Sequence, residues 1–204
     1  MGYTHYWYRE KEYSSEEFKS IVDDFKKVVP ELEKVGVKLA GGLGKDDPRI
    51  TDEDVWFNGL ENCGHEEFNL HIAWPSKNAG GVGKKPKEAV NGTWFAGAQI
   101  ETRVCGGDCS HETFHFPRIL ELSDWQKKQG IEDLGEDGLL FAFCKSAYKP
   151  YDLAVNCFLI IAKYRLSKRI MVHSDGENEH WFDGMLLCHK ILGYGLEFKL
   201  DRSE

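Results

Sequence analysis

The chain has 204 residues, of which 41% are hydrophobic and 13% aromatic, and its formal net charge is −8. This length suits a single domain spanning 1–204, and the apolar content excludes disorder of the whole chain. The acidic balance gives no strong nucleic-acid footprint, because a chain that wraps phosphates shows a dominant basic surface.

The N-terminal MGYTHYWYRE lacks the apolar stretch of a signal peptide. The longest apolar run, Leu153–Ala162, is broken only by Asn156 and falls well short of the ~20 residues of a membrane span. A soluble cytoplasmic protein with no membrane partner is therefore expected. In that compartment the six cysteines read as thiols or metal ligands rather than disulfides.

Residues 3–9, dense in aromatics, predict a strand with His5 and Trp7 on one face and Tyr6 and Tyr8 on the other. Ser14 and Glu17 form a capping-box pattern. Phe18, Ile21, Val22, Phe25, Val28 and Val29 follow at helical spacing. Pro30 should end or kink this helix, and Gly41–Gly44 opens a loop. Residues 53–60 and 67–72 predict two short strands around a turn. The Gly-, Lys- and Pro-rich stretch from Pro75 to Asn91 marks a loop-rich insertion, taken as 73–107. Strands follow at 93–104 and 112–117, and Ser123 is a candidate cap for a short helix in 121–137.

The last third carries the clearest pattern. Residues 139–143 and 169–173 predict two parallel strands in one sheet, joined by a helix over 150–166 that is apolar nearly all round. Ser174 and Glu177 repeat the capping-box spacing before a last helix, with Trp181, Met185, Cys188 and Leu192 on one face. Residues 195–200 predict a closing edge strand. The expected fold is α+β (mixed α/β) around a single sheet: an N-terminal strand-helix, central hairpins and a C-terminal β-α-β-α unit.

Ligands of β-α-β units sit outside the strand ends. Lys145, Ser146, Lys149, Tyr151 and Asp152 lie between the first strand and its helix. That helix start offers free N–H groups and partial positive charge, a place for a phosphate or carboxylate. A capped helix with solvated lysines has the same signature. His173, Ser174 and Asp175 end the second strand and supply an acid, base or hydroxyl acceptor; a plain helix cap is the simpler reading. His5 and Trp7 add an aromatic wall for a planar ligand, or ordinary packing. The sequence also echoes itself, CGHEEF at 63–68 and CSHETF at 109–114. Cys63, His65, Cys109 and His111 would make a structural zinc set in ligand type, with Cys105 as a fifth candidate. Two unrelated strand ends with free cysteines give the same spacing.

Five motifs, GYTHYW at the start, VWFNG at 55–59, ETFHFPR at 112–118, FCKSAYKPYD at 143–152 and HSDG at 173–176, resemble those of an uncharacterised family of small bacteriophage and bacterial proteins. Members carry an N-terminal GYTHY run and an FCKT-x-x-KPYD motif followed by an SSDG-like turn. This chain differs at Ser146 and His173. The phage setting of that family implies a role against host defence. Together these readings lead us to expect binding of a small anionic, nucleotide-like ligand, such as a defence signal to be sequestered. An enzyme (hydrolase or transferase) acting on such a ligand and a protein-interaction inhibitor are the alternatives.

Overall fold

A computed structural model describes residues 3–64, 103, 105, 107–121 and 138–201. The strand expected at 67–72, the strand expected at 93–104 apart from Arg103, the helix expected near Ser123 and most of the 73–107 insertion lie outside the described residues, as does His65.

Strand β1 (Thr4–Arg9) alternates as expected: Trp7 is buried, and Tyr6 and Tyr8 face outward and are partly exposed. Helix α1 (Ser15–Lys34) begins with a complete capping box, in which Ser14 Oγ accepts from Glu17 N at 3.3 Å and Glu17 Oε2 accepts from Ser14 N at 3.2 Å. Contrary to expectation, the helix runs through Pro30 to Lys34. The carbonyl that Pro30 leaves unbonded belongs to Lys26, and both residues lie on the exposed side, where water can take over. The stop is Gly36, left-handed at φ 85°. Val37 N donates to Leu32 O and Gly36 N to Glu33 O, both at 3.0 Å, the paired bonds of a Schellman ending.

Strands β2 (Leu39–Ala40), β3 (Arg49–Ile50), β4 (Asp54–Gly59) and β5 (Phe114–Pro117) form one antiparallel sheet centred on β4. Strands β6 (Leu140–Lys145) and β7 (Ile170–Ser174) flank β1 in a second sheet of order β6-β1-β7. Both pair antiparallel with β1, so they are parallel to each other, as their sequences predicted. They are not neighbours, however, because β1 lies between them. The α+β class holds, but the described strands divide into two sheets rather than one.

Helix α2 (Asp152–Leu166) joins β6 to β7 and is buried along most of its length, as its all-round apolar sequence requires. It packs on α1, on β7 and on helix α3 (Phe182–Leu192). Phe158 of α2 meets Phe25 of α1 at 5.3 Å and Phe114 and Phe116 of β5 at 5.1 and 5.0 Å, centroid to centroid. One aromatic core thus joins both sheets to the helices. Two features of the C-terminal end differ from expectation. Ser174 does not cap α3: a 3-10 turn over Asn178–Trp181 intervenes, and the capping pair is Glu177 with His180. Residues 195–200 form no strand; instead Asp201 alone bonds Val172 of β7, through N to O at 2.9 Å and Oδ2 from N at 2.7 Å. No described helix is long and apolar enough to cross a membrane.

Candidate functional sites

The strand register brings the expected site residues to one edge of the β6-β1-β7 sheet. Thr4 pairs with Lys145, and His5 pairs with both Cys144 and Ser174. Lys145 and Asp175 therefore flank the start of β1 from opposite sides, two strand spacings or about 10 Å apart.

On the inner face of this edge the residues form a buried charge network. His5 Nε2 lies 2.7 Å from Asp152 Oδ1, and Nδ1 lies 3.0 Å from Ser174 Oγ. The Ser146 hydroxyl donates to the same Asp152 oxygen. Arg103 donates to Asp152 Oδ2 from Nε at 3.1 Å and Nη2 at 2.8 Å, and to Asp183 Oδ2 from Nη1 at 2.6 Å. His5, Arg103, Asp152 and Asp183 are all fully buried. Burial disfavours the Asp152 carboxylate, but His5 and Arg103 outweigh it and hold the group below the usual carboxylate range. For Asp183 burial wins over Arg103 and pushes the carboxyl up to about 7. The N-terminus of α2, expected to receive a ligand anion, thus holds the protein's own buried carboxylate in its first turn.

The other expected ligand groups have different roles. Lys149 Nζ donates to the carbonyls of Cys105 at 3.0 Å and Asp108 at 2.6 Å. It reaches them across a loop in which Ala147 and Tyr148 are left-handed, at φ 51° and 57°. Tyr151 is buried, its hydroxyl donating to Glu112 O at 2.6 Å. Trp7 packs on Phe114 at 5.3 Å and belongs to the core. Lys145 is exposed, beside Asp108, Ser110, His111 and Glu112 in a shallow depression of mixed charge. Asp175 accepts from Tyr6 Oη at 2.9 Å and from Thr4 N at 3.0 Å.

The outer face of the same sheet is aromatic. Phe141 and Phe143 of β6 are 41% and 51% exposed and stack at 5.8 Å. Phe141 also stacks on Tyr6 at 6.1 Å and meets Tyr8 at 5.3 Å, and Tyr8 meets His173 edge-on at 5.6 Å. Tyr6, Tyr8, Phe141 and His173 floor an open cleft of about 660 Å³. Its rim includes Glu177, Asn178 and Asp201. The alternation in β1 foretold Tyr6 and Tyr8 on this face. Phe141 and Phe143 lie in a continuous apolar run, 139–143, and such a run does not show which face a sheet leaves uncovered.

A third feature is a cysteine centre. The sulfurs of Cys63, Cys105 and Cys109 lie within 4.8 Å of one another, with Cys105 Sγ 3.2 Å from each of the other two. All three are buried, and burial raises the thiol pKa of Cys105 and Cys109. Cys63 and Cys109 meet as the sequence echo suggested, and Cys105 joins them. His111 does not: it is exposed, with Nδ1 donating to Lys145 O at 2.6 Å. Gly59 makes room for the centre, since a side chain there would overlap the Cys109 carbonyl. Three thiolates so placed can hold a metal ion.

Compared with protein families, with curated proteins and with solved structures, the chain gives no match.

Proposed function

We propose that the outer face of the β6-β1-β7 sheet binds a planar, nucleobase-like ligand, with the cysteine centre as a structural zinc site that holds the surrounding loops. The observation that carries this reading is the group of rings lining the cleft, exposed Phe141 with half-buried Tyr6, Tyr8 and His173, which exposed Phe143 extends along β6. Its volume of about 660 Å³ falls in the range of small-ligand sites, roughly 300–1,000 Å³. Exposed aromatic faces stack on bases without regard to sequence.

The rim favours a nucleoside over a polyphosphate. Glu177 places an exposed carboxylate on the rim, and a carboxylate repels phosphate, while Asp201 is paired with Lys163 and Asn178 Oδ1 accepts from Leu200 N. The lysines expected to hold an anion lie elsewhere, with Lys149 committed to two carbonyls. Sequestration, the role suggested by the phage resemblance, needs binding without turnover. Calorimetric titration with adenosine, guanosine, cytidine and their mono- and triphosphates tests the reading. Nucleosides should bind at least as tightly as their triphosphates and be recovered unchanged. Phe141→Ala should weaken binding by roughly 5- to 150-fold, the worth of one stacked base, with melting unchanged. If no member of the panel binds the unaltered protein, the reading fails.

A further inference from the structure

The cysteine centre and the buried charge network share a short piece of chain. Cys105 lies two residues after Arg103. Cys63 and Cys105 are 42 positions apart in sequence, so bringing their sulfurs together closes the long excursion between them. The loop after Cys105 turns back through Asp108 N to Cys105 O at 3.3 Å, and Cys109 N docks on Leu60 O at 3.2 Å. Lys149, three residues before Asp152, fastens the same loop from the α2 side through Cys105 O and Asp108 O. Arg103 then enters the interior and bridges Asp152 and Asp183, the first-turn carboxylates of α2 and α3.

We propose that zinc at Cys63, Cys105 and Cys109 and the seating of Arg103 between Asp152 and Asp183 form one cooperative unit, so that each strengthens the other. This rests on the zinc reading above. Tetrahedral zinc with Zn–S bonds of about 2.3 Å separates sulfurs by about 3.8 Å, so the two separations of 3.2 Å at Cys105 need to widen by about 0.6 Å. Three buried thiols resist ionisation without a cation, and a zinc trithiolate carries one net negative charge, which the Lys149 ammonium fastened to this loop helps to balance. Arg103 draws the chain before Cys105 into the interior, and the metal holds the chain after it. Either anchor lowers the conformational freedom that the other must remove. Coupling of this kind is reciprocal by thermodynamic necessity.

The test is zinc competition against a chromophoric chelator on the full chain, with Arg103→Met and, as a control, Asp24→Asn. Asp24 accepts from Arg165 and Tyr194 at the α1–α2–α3 junction and touches neither feature. One zinc per chain in the unaltered protein, lost in Cys105→Ser, supports the metal reading. Zinc affinity lowered roughly tenfold or more in Arg103→Met, and unchanged in Asp24→Asn, supports the coupling. Equal zinc affinity in Arg103→Met overturns the coupling and leaves the metal reading standing. Absence of zinc binding in the unaltered protein overturns both. Should Arg103→Met not fold, hydrogen exchange of the unaltered protein decides. Zinc removal must speed exchange at the N-terminal turns of α2 and α3 more than in the middle of α1; equal protection with and without zinc refutes the coupling.

Discussion

Replacing Arg103 with Met should be among the most damaging single changes this protein can suffer. The guanidinium makes three bonds of 2.6–3.1 Å to two carboxylates, and all three side chains are fully buried. Met keeps much of the volume but leaves Asp152 and Asp183 without their shared cation. Breaking a buried ion pair from one side costs about 3–5 kcal/mol, mostly the penalty of an uncompensated charge. Against a total stability of about 5–15 kcal/mol, that is a large share. For a chain of this size it corresponds to a fall in melting temperature of roughly 6–20 °C. The assay is urea denaturation at pH 7 with excess zinc, so that loss of metal does not add to the effect. Arg103→Lys should not rescue, because one ammonium cannot span both carboxylates as the planar fork does. The triple variant Arg103→Met/Asp152→Asn/Asp183→Asn should be more stable than Arg103→Met alone, because no unpaired charge remains. A loss below about 1 kcal/mol in Arg103→Met, with the denaturant slope unchanged, would refute the reasoning: the two carboxylates would not depend on this cation.

Asp183 predicts a pH dependence. Its folded carboxyl titrates near 7, above its ordinary range, so the folded chain keeps a proton that the unfolded chain has already released. Its contribution to stability is fully present below about pH 4 and is lost as pH rises through about 7. Asp152 acts in the opposite sense: its lowered pKa gives stability above the ordinary carboxylate range that is lost on acidification. Melting temperatures from pH 4.5 to 8 should fall less steeply in Asp183→Asn than in the unaltered protein; parallel profiles would remove Asp183 as the source. Gly59→Ala should destabilise by about 1–3 kcal/mol or more and reduce zinc content in elemental analysis, since the new methyl would strike the Cys109 backbone. A Gly59→Ala protein with normal melting and full zinc would show that the Cys109 loop can move aside at little cost.

Local signals are legible in this sequence and long-range partners are not. The alternation in Thr4–Arg9 placed Trp7 inward and Tyr6 and Tyr8 outward, because strand side chains alternate whatever the neighbours are. The cap at Ser14 and the buried helix Asp152–Leu166 also rest on spacing within one turn or one segment. Insertion of β1 between β6 and β7 has no such signal, since strand order depends on pairings across most of the chain. Arg103 carries no signal in the sequence for the same reason, its partners lying 49 and 80 positions away. Cys105 could have been ranked higher: four residues before Cys109, it can turn back onto the same point, whereas His111 is drawn off by the Lys145 carbonyl.

In the segment Lys145–Asp152 the helix start already holds a carboxylate of the chain itself. A helix start with partial positive charge, next to lysines, attracts an anion, and the sequence alone fits either a ligand phosphate or a plain capped helix there. Asp152 lies in that first turn and supplies the anion itself. Once buried, its carboxylate needs partners, and His5, Ser146 and Arg103 provide them. Lys149 turns instead to the carbonyls of the cysteine loop. A buried, fully partnered carboxylate leaves little to attract a second anion. The inner side of the sheet edge is thereby spent on holding strands, helices and the cysteine loop together. On the opposite face Phe141 and Phe143 stay exposed. That division of one sheet into a charged inner edge and an aromatic outer face predicts that Phe141→Ala and Arg103→Met act separately, the first on ligand affinity and the second on stability. If Arg103→Met, still folded and loaded with zinc, lost nucleoside binding as severely as Phe141→Ala, the two faces would not be independent and the ligand would have to reach the interior.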